Sequence, residues 1–507
     1  GVVDNIEALM IPKRNRGEVS VVLAAMRIHK FDEQTQELGC SSLRTLMCNG
    51  PTDYGIGIAD VVLVAMQNFV GNFEVQRCGC EIFACLPPPS LPTRFRCLDL
   101  SLALCSSMTR FPDSSEVHAD ALRAFHHLEA LPQGSRRRTF PFPAVIHQTK
   151  NNHILQTVLA SINLHRLDAR VVEQGCFALQ KILTFLPSTT ARFVSGGLDL
   201  LLSLFREHRF DMDVHQSGWI VVSILLRSYE RYLDNDSVAA ILTQMSHALH
   251  DHRENAGVIG EVFEALSYLI QHHRREQVVT SMLVDGSIIR LILSVIEFHV
   301  LPHPSISEHG LKLLTRVQSK RTDDVAKAEV IKCGGIDVVV LKVMRQSKLI
   351  HTLLAACCSF LAQLAVRPMQ SSSSSNVAAS IVAAGGDAAI VDAMNRHLGS
   401  EAVQEQASEA LKSMADNGVG DETLSNMIRA GAIASLAAAS ETHPRNVAIN
   451  SNACFVLRSV EKMVASRRMR TTHHCELLNR SARLGRDFFE LWTDTLGFLC
   501  YCRKFTN

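Results

Sequence analysis

A self-similarity with a period of 40 to 54 residues constrains this 507-residue chain more than any other feature. A Val or Ile is followed four residues later by a small residue, and seven residues after that by another aliphatic one. Clear copies are Val75–Gly79–Leu86, Val171–Gly175–Ile182, Val214–Gly218–Leu225 and Val403–Ala407–Met414, and weaker ones centre on Gly39, Ala121, Ile259, Gly310, Cys357 and Ala453. The ten centres are 40, 42, 54, 43, 41, 51, 47, 50 and 46 residues apart. A unit this short cannot bury a core alone, so the repeats must stack on one another. The length is therefore a repeat count, and the three or four globular domains that 507 residues would otherwise allow are excluded.

Within each copy the apolar residues recur at spacings of three and four, which is the face of a packed helix, and the small central residue lets another helix approach closely. A second landmark precedes five of the copies: Phe193-Val-Ser-Gly-Gly, Leu283-Val-Asp-Gly-Ser, Ile331-Lys-Cys-Gly-Gly, Val382-Ala-Ala-Gly-Gly and Ile428-Arg-Ala-Gly-Ala. The first glycine of each (196, 286, 334, 385, 431) lies 22 to 24 residues before its centre. A glycine there ends a short helix in the left-handed conformation that side chains disfavour, and turns the chain into the next helix. Each repeat thus reads as helix, glycine turn, helix, polar turn, long helix. Aromatic residues make up only 6% of the chain, and the abundant Ala, Leu, Val, Ser and Ile suit helices packed through small and aliphatic side chains. The expected class is all-α.

The pattern resembles the armadillo repeat family, whose unit of about 42 residues has three helices, a Gly-rich turn after the first and a third helix opening with Val-Gln-Glu-x-Ala/Gly. Val403-Gln-Glu-Gln-Ala407 and the segment from Ile428 to Val460 match most closely. HEAT repeats, which pair helices without a Gly-Gly corner, are the second choice. The resemblance implies a right-handed α-α superhelix of about ten repeats over residues 1–460, interrupted by a loop insertion at 132–147 carrying Arg136, Arg137 and Arg138 and by a Ser-rich insert at 370–376, a candidate phosphorylation site. Residues 466–507 hold eight Lys and Arg against four acids, so 461–507 read as a basic helical cap or tail.

With 51 Lys and Arg against 50 Asp and Glu, the chain lacks the bulk charge that coats nucleic acid. Fifteen Cys, mostly inside apolar helical runs, read as buried free thiols of a reducing compartment, the cytoplasm or alternatively the nucleus. No signal peptide and no membrane span are expected. Phosphate-loop, HExxH, paired CxxC, GxSxG and dinucleotide motifs are absent from the sequence. His247, His250 and His252 with His272 and His273 fall at predicted helix ends, where imidazole complements the helix dipole, and His473, His474, Cys475, Cys500 and Cys502 lack zinc-ligand spacing. No metal, no cofactor and no enzymatic activity are expected.

In a stacked three-helix repeat the third helices line a concave groove. Two residues after the centres come Ser41, Glu81, Arg123, Phe177, Ile220, Glu261, Lys312, Ser359, Glu409 and Phe455, and six after them Thr45, Cys85, His127, Lys181, Ile224, Ala265, Arg316, Gln363, Ser413 and Ser459. In the importin-α branch of the family these rows carry a Trp and Asn ladder for basic peptides. Here neither row has one, and there is no β-catenin-like row of lysines. The candidate binding residues are Phe177, Lys181, Trp219, Ile220 and Ile224 as an apolar centre, with Lys312 and Arg316 as its basic flank. The expected function is a non-catalytic scaffold or adaptor that holds a peptide or helix of a protein partner. The alternative is a regulatory armadillo region of a larger protein such as a leucine-rich-repeat kinase.

Overall fold

The computed structural model describes residues 16–48, 57–86, 97–126, 144–185, 193–229, 233–271, 288–318, 323–366, 377–417 and 421–472. Their regular structure is helical, with no strand among the described residues. Second and third helices pack in successive pairs, and the chain divides into two compact units between Gln244 and Met245. The first unit holds Arg16–Ile28 with Glu33–Cys48, Ile58–Asn68 with Phe73–Cys85, Cys97–Arg110 with Ser115–His126, Ala144–Leu164 with Ala169–Phe185, and Leu198–Glu207 with Met212–Tyr229. In the second unit, Ile288–His299 packs on Pro304–Gln318, Gly386–Arg396 on Glu401–Asn417, and Ala432–Thr442 on Val447–Thr472. Short first helices are described at Asp323–Lys332, Val377–Ala383 and Asp421–Arg429.

The central glycines are explained by what lies opposite them. A Cβ on Gly79 would come within 2.5 Å of Met66 Sδ, one on Gly175 within 2.4 Å of Ile162 Cγ1, and one on Gly218 within 2.4 Å of Phe205 Cε1. In each case the intruding side chain belongs to the second helix of the same repeat, so the third helix must be smooth where the second crosses it. The glycine corners follow the expectation at Gly334, Gly385 and Gly431, whose φ angles are 78°, 79° and 92°. Gly196 departs from it: Phe193–Gly197 is a π-helical turn, and the residue is not left-handed. Gly286 lies outside the described residues.

One polar device recurs where the second helix ends. Gln76 Nε2 donates to the carbonyls of Met66 (2.8 Å) and Phe69 (3.0 Å), Gln36 to those of Met26 and His29, and Gln404 to those of Met394 and His397, with the same distances each time. The carbonyls of Met66, Met26 and Met394, open near the helix C-terminus, are thereby satisfied inside the core, while those of Phe69, His29 and His397 also accept from Asn72 N, Asp32 N and Ser400 N. Histidine then links one repeat to the next. The Nε2–H of His165 donates to Pro112 O and that of His208 to Arg166 O in the first unit; His299, His397 and His443 reach Arg253 O, Lys348 O and Leu398 O in the second, at 2.7 to 2.8 Å.

Two boundaries and one repeat centre are corrected. Residues 144–147, expected in the loop insertion, form the first turn of helix Ala144–Leu164, because Pro143 is tolerated just ahead of a helix start. The helix begun at Val447 runs on to Thr472, so nothing ends at 460. The weak copy centred on Ile259 is out of phase: Asn255 Oδ1 caps Val258 N at 2.9 Å, as Asn72 caps Val75 N and Asn446 caps Ile449 N. Val258 therefore takes the place of Val75, and the centre is Val262. The Arg loop, the Ser-rich insert and residues 473–507 lie outside the described residues.

Candidate partner-binding surface

Within each unit the third helices stack side by side. Phe73–Cys85 packs on Ser115–His126, that helix on Ala169–Phe185, and that on Met212–Tyr229; in the second unit Ala256–Gln271, Pro304–Gln318, His351–Ala365, Glu401–Asn417 and Val447–Thr472 follow one another in the same way. The residue two places after each centre keeps contact with solvent, as helical geometry requires of a position on the side opposite the second helix.

The candidate residues separate into two classes. Phe177 and Ile220 are half-buried at equivalent positions on adjacent third helices of the first unit. Lys181 and Ile224, one turn further along, are only 7% and 8% exposed. Trp219 is a correction: it is 0% exposed, its indole stacked on the Phe205 ring at 4.8 Å and 16°, and His215 lies against the same ring at 4.9 Å. It sits one residue past the small centre, a position that turns toward the second helix, so it is a core residue of its repeat. In the second unit Lys312 and Arg316 are exposed. Lys312 Nζ lies 2.6 Å from Glu308 Oε1, and Arg316 Nη1 lies 3.5 Å from Ser267 Oγ.

The shift of centre to Val262 brings two unanticipated residues onto this surface. Glu264 is exposed and Tyr268 half-buried, with the Tyr268 hydroxyl donating to Glu264 Oε1 at 3.0 Å, whereas Ala265 is fully buried. The capping Asn255 was the signal that would have fixed the phase.

Charges on the first unit's third helices are largely mutually paired. Arg44 and Arg77 both meet Glu81, and Asp120 takes Arg123 at 3.0 Å and Arg170 at 3.1 Å. Burial raises the Asp120 carboxyl above its usual range despite the two arginines. In the second unit, burial of Glu308 is outweighed by hydrogen bonds from Lys312 and Thr352, which hold its carboxyl below the usual range. Burial lowers the neighbouring His309, which shares a 3.2 Å hydrogen bond with Ser267.

His250 Nδ1 rests 2.9 Å from Asp251 and His252 is buried, while His272, His273, His473, His474, Cys475, Cys500 and Cys502 lie outside the described residues. Among the described residues, no three His, Cys, Asp or Glu side chains gather in a way that could hold a metal ion. The ten cysteines whose side chains are described are free, and burial pushes the thiols of Cys78, Cys80, Cys105, Cys176 and Cys358 up to about 12. Among the described residues no single helix is long and apolar enough to cross a membrane.

The class that this architecture defines is the armadillo-type solenoid, an all-α right-handed superhelix of stacked helical repeats. A solved structure described by a phosphorylation switch controlling the interaction between cadherin and beta-catenin matches with a TM-score of 0.56 and 12% sequence identity, over 91% of this chain and 91% of that chain. No protein-family model matches the sequence, and no curated protein matches it significantly.

Proposed function

We propose that this chain is a non-catalytic interaction scaffold whose third-helix surface holds a peptide or helical segment of a protein partner. The observation that carries the reading is the pair Phe177 and Ile220, two large apolar side chains left half-exposed at the same position on neighbouring third helices. That position stacks from repeat to repeat, so an elongated ligand meets Phe177 and Ile220 in succession. In the second unit Lys312, at the equivalent position, and Arg316, one turn further along, are exposed and supply charge for an acidic ligand residue. The similar solved structure, whose description names the interaction of beta-catenin with cadherin, supports a binding role in kind, without assigning this chain the same partner. The free, mostly buried thiols support a reducing compartment, cytoplasm or nucleus.

The test is capture from lysate with the full chain, read by mass spectrometry. Phe177→Ser with Ile220→Ser, and separately Lys312→Glu with Arg316→Glu, are expected to lose proteins that the wild type retains while circular dichroism stays unchanged. An interactome unaltered by both pairs contradicts the reading. The second reading, a regulatory portion of a larger protein, is tested by the transcript: an open reading frame continuing past Asn507 into a catalytic domain favours it.

A further inference from the structure

Residues three and seven places apart on an α-helix share one face. Arg170, Glu173 and Phe177 therefore line one face of Ala169–Phe185, and Asp213, Gln216 and Ile220 line the matching face of Met212–Tyr229, which packs beside it. From the N-terminal ends the two helices present Arg170 with Asp213, Glu173 with Gln216, and Phe177 with Ile220. All six side chains keep contact with solvent.

Acids outnumber the available cations on this face. Glu116, at the place of Arg170 and Asp213 on the preceding third helix, is exposed as well. Arg123 and Arg170 are both held by Asp120, at 3.0 and 3.1 Å. In the flanking turns Arg166 is held by Glu207, and Arg209 lies over the Phe210 ring. Lys181, two turns past Glu173, is buried, and Arg227 stands near the far end of its helix. Glu116, Glu173 and Asp213 make no ion pair among the described residues. Burial pushes the Glu173 carboxyl above its usual range, and the like charges of Asp213 and Asp211 push it the same way against a hydrogen bond from Gln174. A half-buried carboxylate facing like charge is unfavourable in the free chain, and an added cation relieves it.

Taking the third-helix surface as the binding face, we propose that the fourth and fifth repeats seat a basic amphipathic helix of a protein partner. Its apolar stripe rests on Phe177 and Ile220, and Lys or Arg side chains of one flank lie beside Glu173 and Asp213. Spacing selects a helix. Packed helices stand about 8–10 Å apart, so Phe177 and Ile220 recur at that interval. A helix returns to the same face every seven residues, about 10.5 Å, whereas an extended strand does so about every 6.6 Å. Charge selects the sign. Glu173 lies one turn, and Asp213 two turns, to the N-terminal side of the apolar pair, where long cationic side chains on the flank of such a helix extend.

The experiment is selection of random peptides of about 16 residues, long enough for two heptads, displayed on phage against the immobilised full chain. Peptides enriched by the wild type and lost on Phe177→Ser with Ile220→Ser are expected to carry apolar residues seven apart with Lys or Arg on one flank. In fluorescence anisotropy at low ionic strength, Glu173→Gln with Asp213→Asn is expected to weaken the best of them by about fivefold, and by less at high salt. Neutralising these two acids removes repulsion, so the fold is kept, as circular dichroism will show. Ile220→Ser alone serves if the apolar double variant fails to fold. Enriched peptides that need Phe177 and Ile220 but are neutral, acidic or without the seven-residue spacing overturn the proposal and leave the third-helix reading standing. So does a best peptide that the neutralised variant binds equally well. Peptides indifferent to Phe177 and Ile220, or no enrichment at all, overturn both.

Discussion

Replacing Gly218 by alanine sets two effects of opposite sign against each other. Alanine is the better helix former, and at an ordinary interior position of a helix the change stabilises by up to about 1 kcal/mol. At Gly218 the added Cβ would sit 2.4 Å from Phe205 Cε1, 2.8 Å from Cζ and 3.4 Å from Leu201 Cδ1. Carbon atoms in contact prefer about 3.5–4.0 Å, so the ring must retreat by about 1 Å. It has nowhere to go, since Trp219 and His215 both lie against it. Overpacking of this kind costs about 1–3 kcal/mol, and the net expectation is a loss of up to about 2 kcal/mol after the propensity gain. Gly260→Ala is the matched control, because its Cβ would meet only Ile306 Cδ1, at an ordinary 3.6 Å. That variant should gain about 0.5–1 kcal/mol. Urea titration followed by Trp219 fluorescence, in a Trp492→Phe background, reads both. A Gly218→Ala variant that gains as much as Gly260→Ala, or a Gly260→Ala variant that loses stability, refutes the close-approach account of the period.

Further consequences are open to measurement. Gln76→Leu strands the carbonyl of Met66 and removes one of two partners from Phe69 O, which keeps Asn72 N, and from the Ser107 hydroxyl, which keeps Ala103 O, and should cost about 1–3 kcal/mol; amide exchange in Ile58–Asn68 and Phe73–Cys85 should accelerate, and unchanged exchange argues against the clamp. His118 is driven down to about 4 by burial and by the charge of nearby His165. The folded state then binds fewer protons than the unfolded one, so its stability contribution is complete above about pH 6.5 and falls by up to about 1.4 kcal/mol per pH unit towards pH 4. Urea midpoints of wild type and His118→Asn should diverge in that window, and parallel profiles would contradict it. Cys80 and Cys176, with thiols pushed up to about 12 by burial, should resist iodoacetamide at pH 8 until the chain is unfolded, as mass spectrometry of the alkylated peptides will show.

The period was legible because its cause is local and repeated. A small residue is needed wherever a second-helix side chain crosses, and Gly79, Gly175, Gly218 and Gly310 write that requirement directly into the sequence. Where the requirement relaxes the signal fades, and at Val262 a flanking apolar run drew the phase three residues astray although Asn255 marked the helix start. Trp219 was misplaced for a related reason: one residue is about 100° of helix, enough to turn a side chain from solvent into the core. The histidine links were missed because each joins residues 42 to 53 apart in sequence, although the recurring His-Lys/Arg-Phe/Leu-Asp turn at His29, His165 and His208 carried the sign. The exposed Phe31, Leu167 and Phe210 belong to the same motif and were hidden with it.

The central claim is that the third-helix surface is where a protein partner sits, and hydrogen–deuterium exchange of the full chain with its captured partner tests it most directly. The account predicts new protection in Ala169–Phe185, Met212–Tyr229 and Pro304–Gln318, with the second helices unchanged. Protection confined to the second helices, or to the turns between second and third helices, contradicts it.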